Sequence, residues 1–105
     1  GNIVLRDRKR LSEDGLIVVV ATIDPENGNT VSGPDIVSRG FVYVRESEEL
    51  IASAEKAAAA VLNKCAKENI HEWGIIKNNI RDALSALFYE RTRRSPMILP
   101  ILMEI

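Results

Sequence analysis

The sequence predicts an α+β fold: a two-layer sandwich in which a small, mostly antiparallel or mixed sheet of three to four strands carries two antiparallel helices on one face. Three observations lead there. The apolar residues follow a period of about two as far as Val44, adopt a helical period from Ser47 onward, and return to a short apolar strand at the end. Each helical stretch carries a single apolar stripe, so each has one side to bury. The segment Leu16 to Ile23 is apolar on both of its faces, which places it at the centre of the sheet. The element order is β-β-β-α-α-β, and two helices laid over the same sheet face bury both stripes in one core.

Taken in order, Ile3 to Leu11 alternates imperfectly, and Ser12-Glu13-Asp14-Gly15 reads as a turn. The central strand follows, with Leu16, Val18, Val20 and Thr22 on one face and Ile17, Val19, Ala21 and Ile23 on the other. "DPENGNT" supplies the next turn, where Asn27-Gly28 can take the positive φ values of a tight hairpin. "TVSGPDIVSRGFVYV" is the returning strand. Gly33-Pro34 should interrupt its pairing, and Gly40 marks a bulge or a close backbone approach. Phe41 and Tyr43 share one face, opposite Val42 and Val44.

The first helix opens at Ser47, a good N-cap, with Glu48 and Glu49 complementing the positive helix end. Its stripe is Leu50, Ala54, Ala57, Ala58, Val61, Leu62 and Cys65, and it runs to about Asn69. The alanines at 57–60 favour helix and allow close packing. Trp73, Ile76, Ile80, Leu84, Leu87 and Phe88 form the second stripe; Arg91, Arg93 and Arg94 suit its negative end, and Ser95-Pro96 stops it. "MILPILMEI" closes the chain as a strand whose Pro100 belongs at an edge or a bulge.

One domain, spanning 1–105, accounts for the whole chain, and 46% hydrophobic with 28% charged residues is an ordinary globular composition. A net charge of −1 rules out a global field for nucleic acid or anionic membrane, so any basic surface is a local patch. The longest apolar run, Leu16 to Ile23, is far short of the ~20 residues of a membrane helix, and no signal-peptide pattern opens the chain. The single cysteine, Cys65, permits no internal disulfide and fits a reducing, cytoplasmic compartment. The chain starts almost at once with strand-like sequence, as a domain within a larger protein would.

The search for chemistry yields no catalytic and no metal-binding residue. Cys65, Glu68, His71 and Glu72 cluster in sequence, but a helix break falls among them and no CxxC or HxxxH spacing exists. Asp24, Glu26, Gly28, Thr30, Ser32 and Asp35 occupy calcium-loop spacings; Asn29 replaces the required glycine and strands flank the segment, so a hairpin tip is the better reading. Gly28, Gly33 and Gly40 match no phosphate-binding fingerprint, and His71 has no partner in the sequence for general-base work. Arg6, Arg8 and Arg10 would share one strand face about 7 Å apart, a spacing that suits a phosphate backbone. A solvated strand face is the plainer account, since no aromatic residues interleave with them. The sheet face away from the helices is the candidate interface, lined by Val18, Val20 and Val42 or by their alternating neighbours.

"LRDRKRLSEDGLIVVV", "SGPDIVSRGFVYVRESEELI", "IKNNIRDAL" and "FYERTRRSPMILPILMEI" together resemble the C-terminal domain of bacterial ribonuclease J, from Val4 to Ile105. The resemblance implies a parent enzyme of the metallo-β-lactamase/β-CASP class, zinc-dependent, with 5′-to-3′ exonuclease and endonuclease activity in mRNA decay and rRNA maturation. The family's HxHxDH motif and β-CASP histidine belong to earlier domains and have no matching position here. The resemblance therefore implies no enzyme activity and no cofactor for this fragment, with zinc confined to the parent's catalytic domains. It implies a module supporting assembly with the parent's other domains, into a dimer or tetramer or with a paralogous subunit, and RNA met through the parent. The alternative is an RNA-contacting module that uses the face of Arg6, Arg8 and Arg10; a free-standing relative with another partner is a third.

Overall fold

A computed structural model describes residues 14–40 and 47–105. The strand predicted over Ile3 to Leu11, with Arg6, Arg8 and Arg10, lies outside the described residues, as do Phe41, Val42, Tyr43 and Val44.

Among the described residues, strand β1, Leu16–Ile23, is the middle strand of three, in the order β2-β1-β3. β2, Thr30–Arg39, runs antiparallel to it, and β3, Met97–Glu104, runs parallel, so the sheet is mixed. Alternation along β1 gives each face its own fate: Ile17, Val19, Ala21 and Ile23 are buried, while Leu16, Val18, Val20 and Thr22 are half-buried. Helices α1, Ser47–Lys67, and α2, Trp73–Thr92, cover the first of these faces, α1 over β2 and α2 over β3.

The two helices bring unequal side chains to the core. α1 buries Leu50, Ala54, Ala58, Leu62 and Cys65, and its alanines let its backbone approach closely; α2 buries the bulk, Ile76, Ile80, Leu84 and Phe88. β3 adds Ile98 and Leu102, with no buried polar or charged residue in the set. Ala57, Val61, Trp73 and Leu87, predicted for the stripes, sit half-buried at the rim of the core. Each large apolar side chain taken fully out of water contributes about 1.5–3 kcal/mol.

Local chemistry fixes where elements end. α1 stops at a Schellman turn: Ile70 N–H donates to Cys65 C=O at 2.8 Å, Asn69 N–H to Ala66 C=O at 3.2 Å, and Asn69 takes the left-handed conformation at φ 56°. The short connection to Trp73 then returns α2 alongside α1. The β1–β2 hairpin differs from the tight two-residue turn that Asn27-Gly28 predicts. Its loop runs from Asp24 to Asn29, closed by Asp24 N–H to Asn29 C=O at 2.9 Å, and only Gly28 has positive φ. Asp24 drives this wider loop, because its Oδ1 accepts Glu26 N–H at 2.9 Å and bends the chain one residue early. Gly33-Pro34 interrupts the pairing as predicted, shifting register between Val20 opposite Asp35 and Thr22 opposite Ser32. A Cβ on Gly33 would stand 2.6 Å from Val20 C=O. Gly40 likewise makes the close approach its sequence implies, packed on Gly15, where a Cβ would stand 2.6 Å from Arg39 C=O.

The parallel β1–β3 pairing is pinned at its start. Asp14 Oδ2 accepts Ser95 N–H at 2.9 Å, with Arg94 Nη1 3.9 Å from Oδ1, and Gly15 C=O accepts Met97 N–H at 3.0 Å. This clip sets Leu16 opposite Met97, from which the remaining pairs follow one by one to Ile23 opposite Glu104. Pro100 sits in this strand, opposite Val19, an edge position among the described residues, which tolerates the missing donor.

Phe88 is 0% exposed and is the largest fully buried side chain among the described residues. Phe88→Ala should lower unfolding free energy by about 3–5 kcal/mol, read from urea denaturation; a loss under ~1 kcal/mol would show that α2 is not seated on the sheet as described.

Candidate interaction surface

The sheet face opposite the helices is where the fold leaves apolar groups without cover among the described residues. The β1–β3 register sets Leu99 beside Val18, Ile101 beside Val20 and Met103 beside Thr22, all on this side. Leu99 is 41% exposed, Ile101 38% and Met103 45%, against 0% for Ile17 on the other face. Across β1, Val37 stands opposite Val18 and is 40% exposed. Asp35 and Arg39, opposite Val20 and Leu16, put charge along the β2 side. The result is an apolar strip centred on β1 and β3 with a polar margin on β2, and contiguous exposed apolar area of this kind marks interaction surfaces.

Val18 and Val20, the interface residues named from sequence, lie on this face, yet they are half-buried at its floor. Its prominent members are on β3 and escaped sequence reasoning. Their signal was present: in "MILPILMEI", Met97, Leu99, Ile101 and Met103 alternate, and a strand with large apolar groups on both faces needs cover on both. Val42, named with them, lies outside the described residues, as do Arg6, Arg8 and Arg10.

At the far end of the sheet a cleft of about 100 Å³ is lined by Asp24, Gly28, Cys65, His71, Trp73 and Glu104, among others. His71 rests on the hairpin tip, where a Cβ on Gly28 would come 3.3 Å from its Cε1 and press the imidazole aside. The Schellman turn separates the sequence cluster around it. Cys65 points into the core, with Asn79 Nδ2 donating to its Sγ at 3.8 Å, while Glu68, His71 and Glu72 are exposed. Among the described residues no three His, Cys, Asp or Glu side chains come together in a way that could hold a metal ion. The calcium-spaced set disperses too: Asp24 closes the hairpin loop, while Thr30, Ser32 and Asp35 belong to β2.

The third surface is the C-terminal end of α2. Arg93 takes the left-handed conformation, φ 60°, and its N–H donates to Tyr89 C=O at 2.8 Å to close the helix. Thr92 Oγ1 donates to Phe88 C=O at 2.7 Å and accepts Arg94 N–H at 3.1 Å. Sequence reasoning placed cations here for the helix dipole; the structure adds that Arg93 lies against the Tyr89 ring, 5.4 Å from its centroid.

Taken together these features define a small two-layer α+β domain with one sheet face roofed and the other open among the described residues. The sequence pattern of the Ribonuclease J C-terminal domain matches residues 3–105, and the chain belongs to that family. It is 50% identical over all 105 residues to Ribonuclease J2 of Bacillus subtilis (strain 168), covering 19% of that protein. Ribonuclease J 2 of Staphylococcus epidermidis is 51% identical and that of Staphylococcus aureus (strain NCTC 8325 / PS 47) 50% identical, each over the whole chain and 19% of the relative. The chain thus spans about a fifth of the length of these relatives.

Arg93→Gly should leave stability within about 1 kcal/mol of the parent, since relief of the left-handed penalty offsets the lost ring contact. Arg93→Val, β-branched, should cost roughly 1–2 kcal/mol in thermal or urea unfolding; equal melting of the two variants would contradict the left-handed cap.

Proposed function

We propose that this chain is the C-terminal module of a ribonuclease J and acts there in assembly, not in chemistry. The parent is read as a cytoplasmic, zinc-dependent 5′-to-3′ exo- and endoribonuclease of the metallo-β-lactamase/β-CASP class, serving mRNA decay and rRNA maturation. Zinc and the reacting phosphodiester belong to the parent's other domains in this reading, and no step of the reaction is assigned to residues of this chain.

The open row Leu99, Ile101 and Met103 carries the assembly reading. Three neighbouring large apolar side chains on one strand are costly to leave in water and of no use to the core beneath them. Completing their burial contributes on the order of 1 kcal/mol each. The occupant is a second copy of this domain or its counterpart in a paralogous subunit, giving the dimer or tetramer. A like surface offers the same apolar strip, and its Asp35 and Arg39 margin offers both signs of charge for pairing across a two-fold axis.

Light scattering on the chain should show mass rising with concentration. Ile101→Lys should weaken that association by about tenfold or more with little effect on melting, because the side chain is outside the core. A chain that stays monomeric at high concentration, or an Ile101→Lys variant that associates like the parent, removes the assembly reading.

A further inference from the structure

The C-terminal corner of α2 holds groups that the assembly reading does not use. Tyr89 is 51% exposed, and the Arg93 guanidinium lies over its ring. Arg91 is exposed in the same last turn, and Glu90 is the one acidic residue between Tyr89 and Ser95. Dipole complementarity explains cations at a helix end. It explains neither the exposed aromatic ring nor the conformation of Arg93. At φ 60° glycine closes a helix without a Cβ penalty, and asparagine, which tolerates this region better than most side chains, closes α1. An arginine there is held in an unfavourable backbone region, and that conformation is what turns its side chain back over the residue four positions earlier. Strain retained at an exposed polar position is a mark of use.

An exposed ring paired with a guanidinium plane is chemistry that stacks an unpaired base, because every base has a π-face and arginine stacks as well as pairing with phosphate. A second arginine within one turn reaches a neighbouring phosphate. The family is named for ribonucleases, so the polyanion of interest is RNA.

We propose that Tyr89, Arg91 and Arg93 form a contact site for single-stranded RNA, with a base stacked at the Tyr89–Arg93 pair and the adjoining phosphates met by Arg93 and Arg91. Arg94 is left to the Asp14 clip. Glu90, and Glu49 in the groove beside Arg91, oppose general polyanion binding, so the site depends on stacking and two charges and not on a broad basic field. This goes beyond the assembly reading and does not need it, since the corner belongs to the helix layer, whereas Leu99, Ile101 and Met103 lie on the sheet face away from the helices.

Fluorescence anisotropy of the 105-residue chain with a labelled oligoadenylate of about ten nucleotides should show binding whose logarithm falls with log salt at a slope of about −1.4, for two phosphates on a single strand. Arg93→Gly and Tyr89→Ala should each weaken binding about tenfold, with Tyr89→Phe restoring it, because the stacked ring and not the hydroxyl is at work. Ile101→Lys should bind as the parent does, which separates this site from assembly. The proposal is overturned if the chain does not bind at low salt, or if Arg93→Gly and Tyr89→Ala bind like the parent while melting like it. Displacement of the RNA by polyglutamate as readily as by unlabelled RNA, or loss of binding in Ile101→Lys, would overturn it equally.

Discussion

Everything in this fold follows from the need to roof one row of side chains, Ile17, Val19, Ala21 and Ile23, on the middle strand. A central strand has no edge at which to shed apolar groups, so its cover must come from above. Neither helix could supply that cover alone. α1 offers small residues where it meets the sheet, and α2 fills the space this leaves with Ile76, Ile80, Leu84 and Phe88. One helix sets how close the roof comes and the other sets how full it is.

Because strand side chains alternate, satisfying one row commits the other. The clip at Asp14, Ser95 and Met97 fixes the β1–β3 register, and with it which β3 residues share a face with Val18 and Val20. A slip by one residue would send Leu99, Ile101 and Met103 inward and expose Ile98 and Leu102. Interior and surface strip are thus two readings of one register, tied to a handful of hydrogen bonds at the entrance of the sheet. The glycines serve the same end. Gly15 packs against Gly40 there, and Gly33 lets β2 bulge past Val20 without separating from it.

Much of this was legible in the residues. Periodicity gave the helices nearly to their ends, the two-faced composition of Leu16 to Ile23 gave the central strand, Gly33-Pro34 announced the interruption in β2 and Gly40 the close backbone approach. What escaped depended on interactions between segments or on backbone choices with more than one solution. Asn27-Gly28 suits a tight turn, but the Asp24 side chain competes for the same backbone and wins a longer loop. The partner and direction of β3 are not encoded in "MILPILMEI", since both depend on where α2 delivers the chain, and the prominence of its outer row depends on that delivery. The position of Arg93 over Tyr89 was hidden for another reason: an arginine after a helix reads as dipole complement, and only coordinates reveal the left-handed φ that redirects it. Arg6, Arg8, Arg10 and Val42 fall outside the described residues.

The parallel alignment of β1 and β3 has a mechanical consequence. Tension entering at Asp14 pulls β1 from its leading end, and tension leaving through Ile105 pulls β3 from its trailing end. The two neighbouring strands are then loaded in shear, with all their ladder bonds resisting at once, whereas a hairpin drawn at its open ends would give way bond after bond like a zipper. A domain strung between those two points would transmit pull instead of peeling apart.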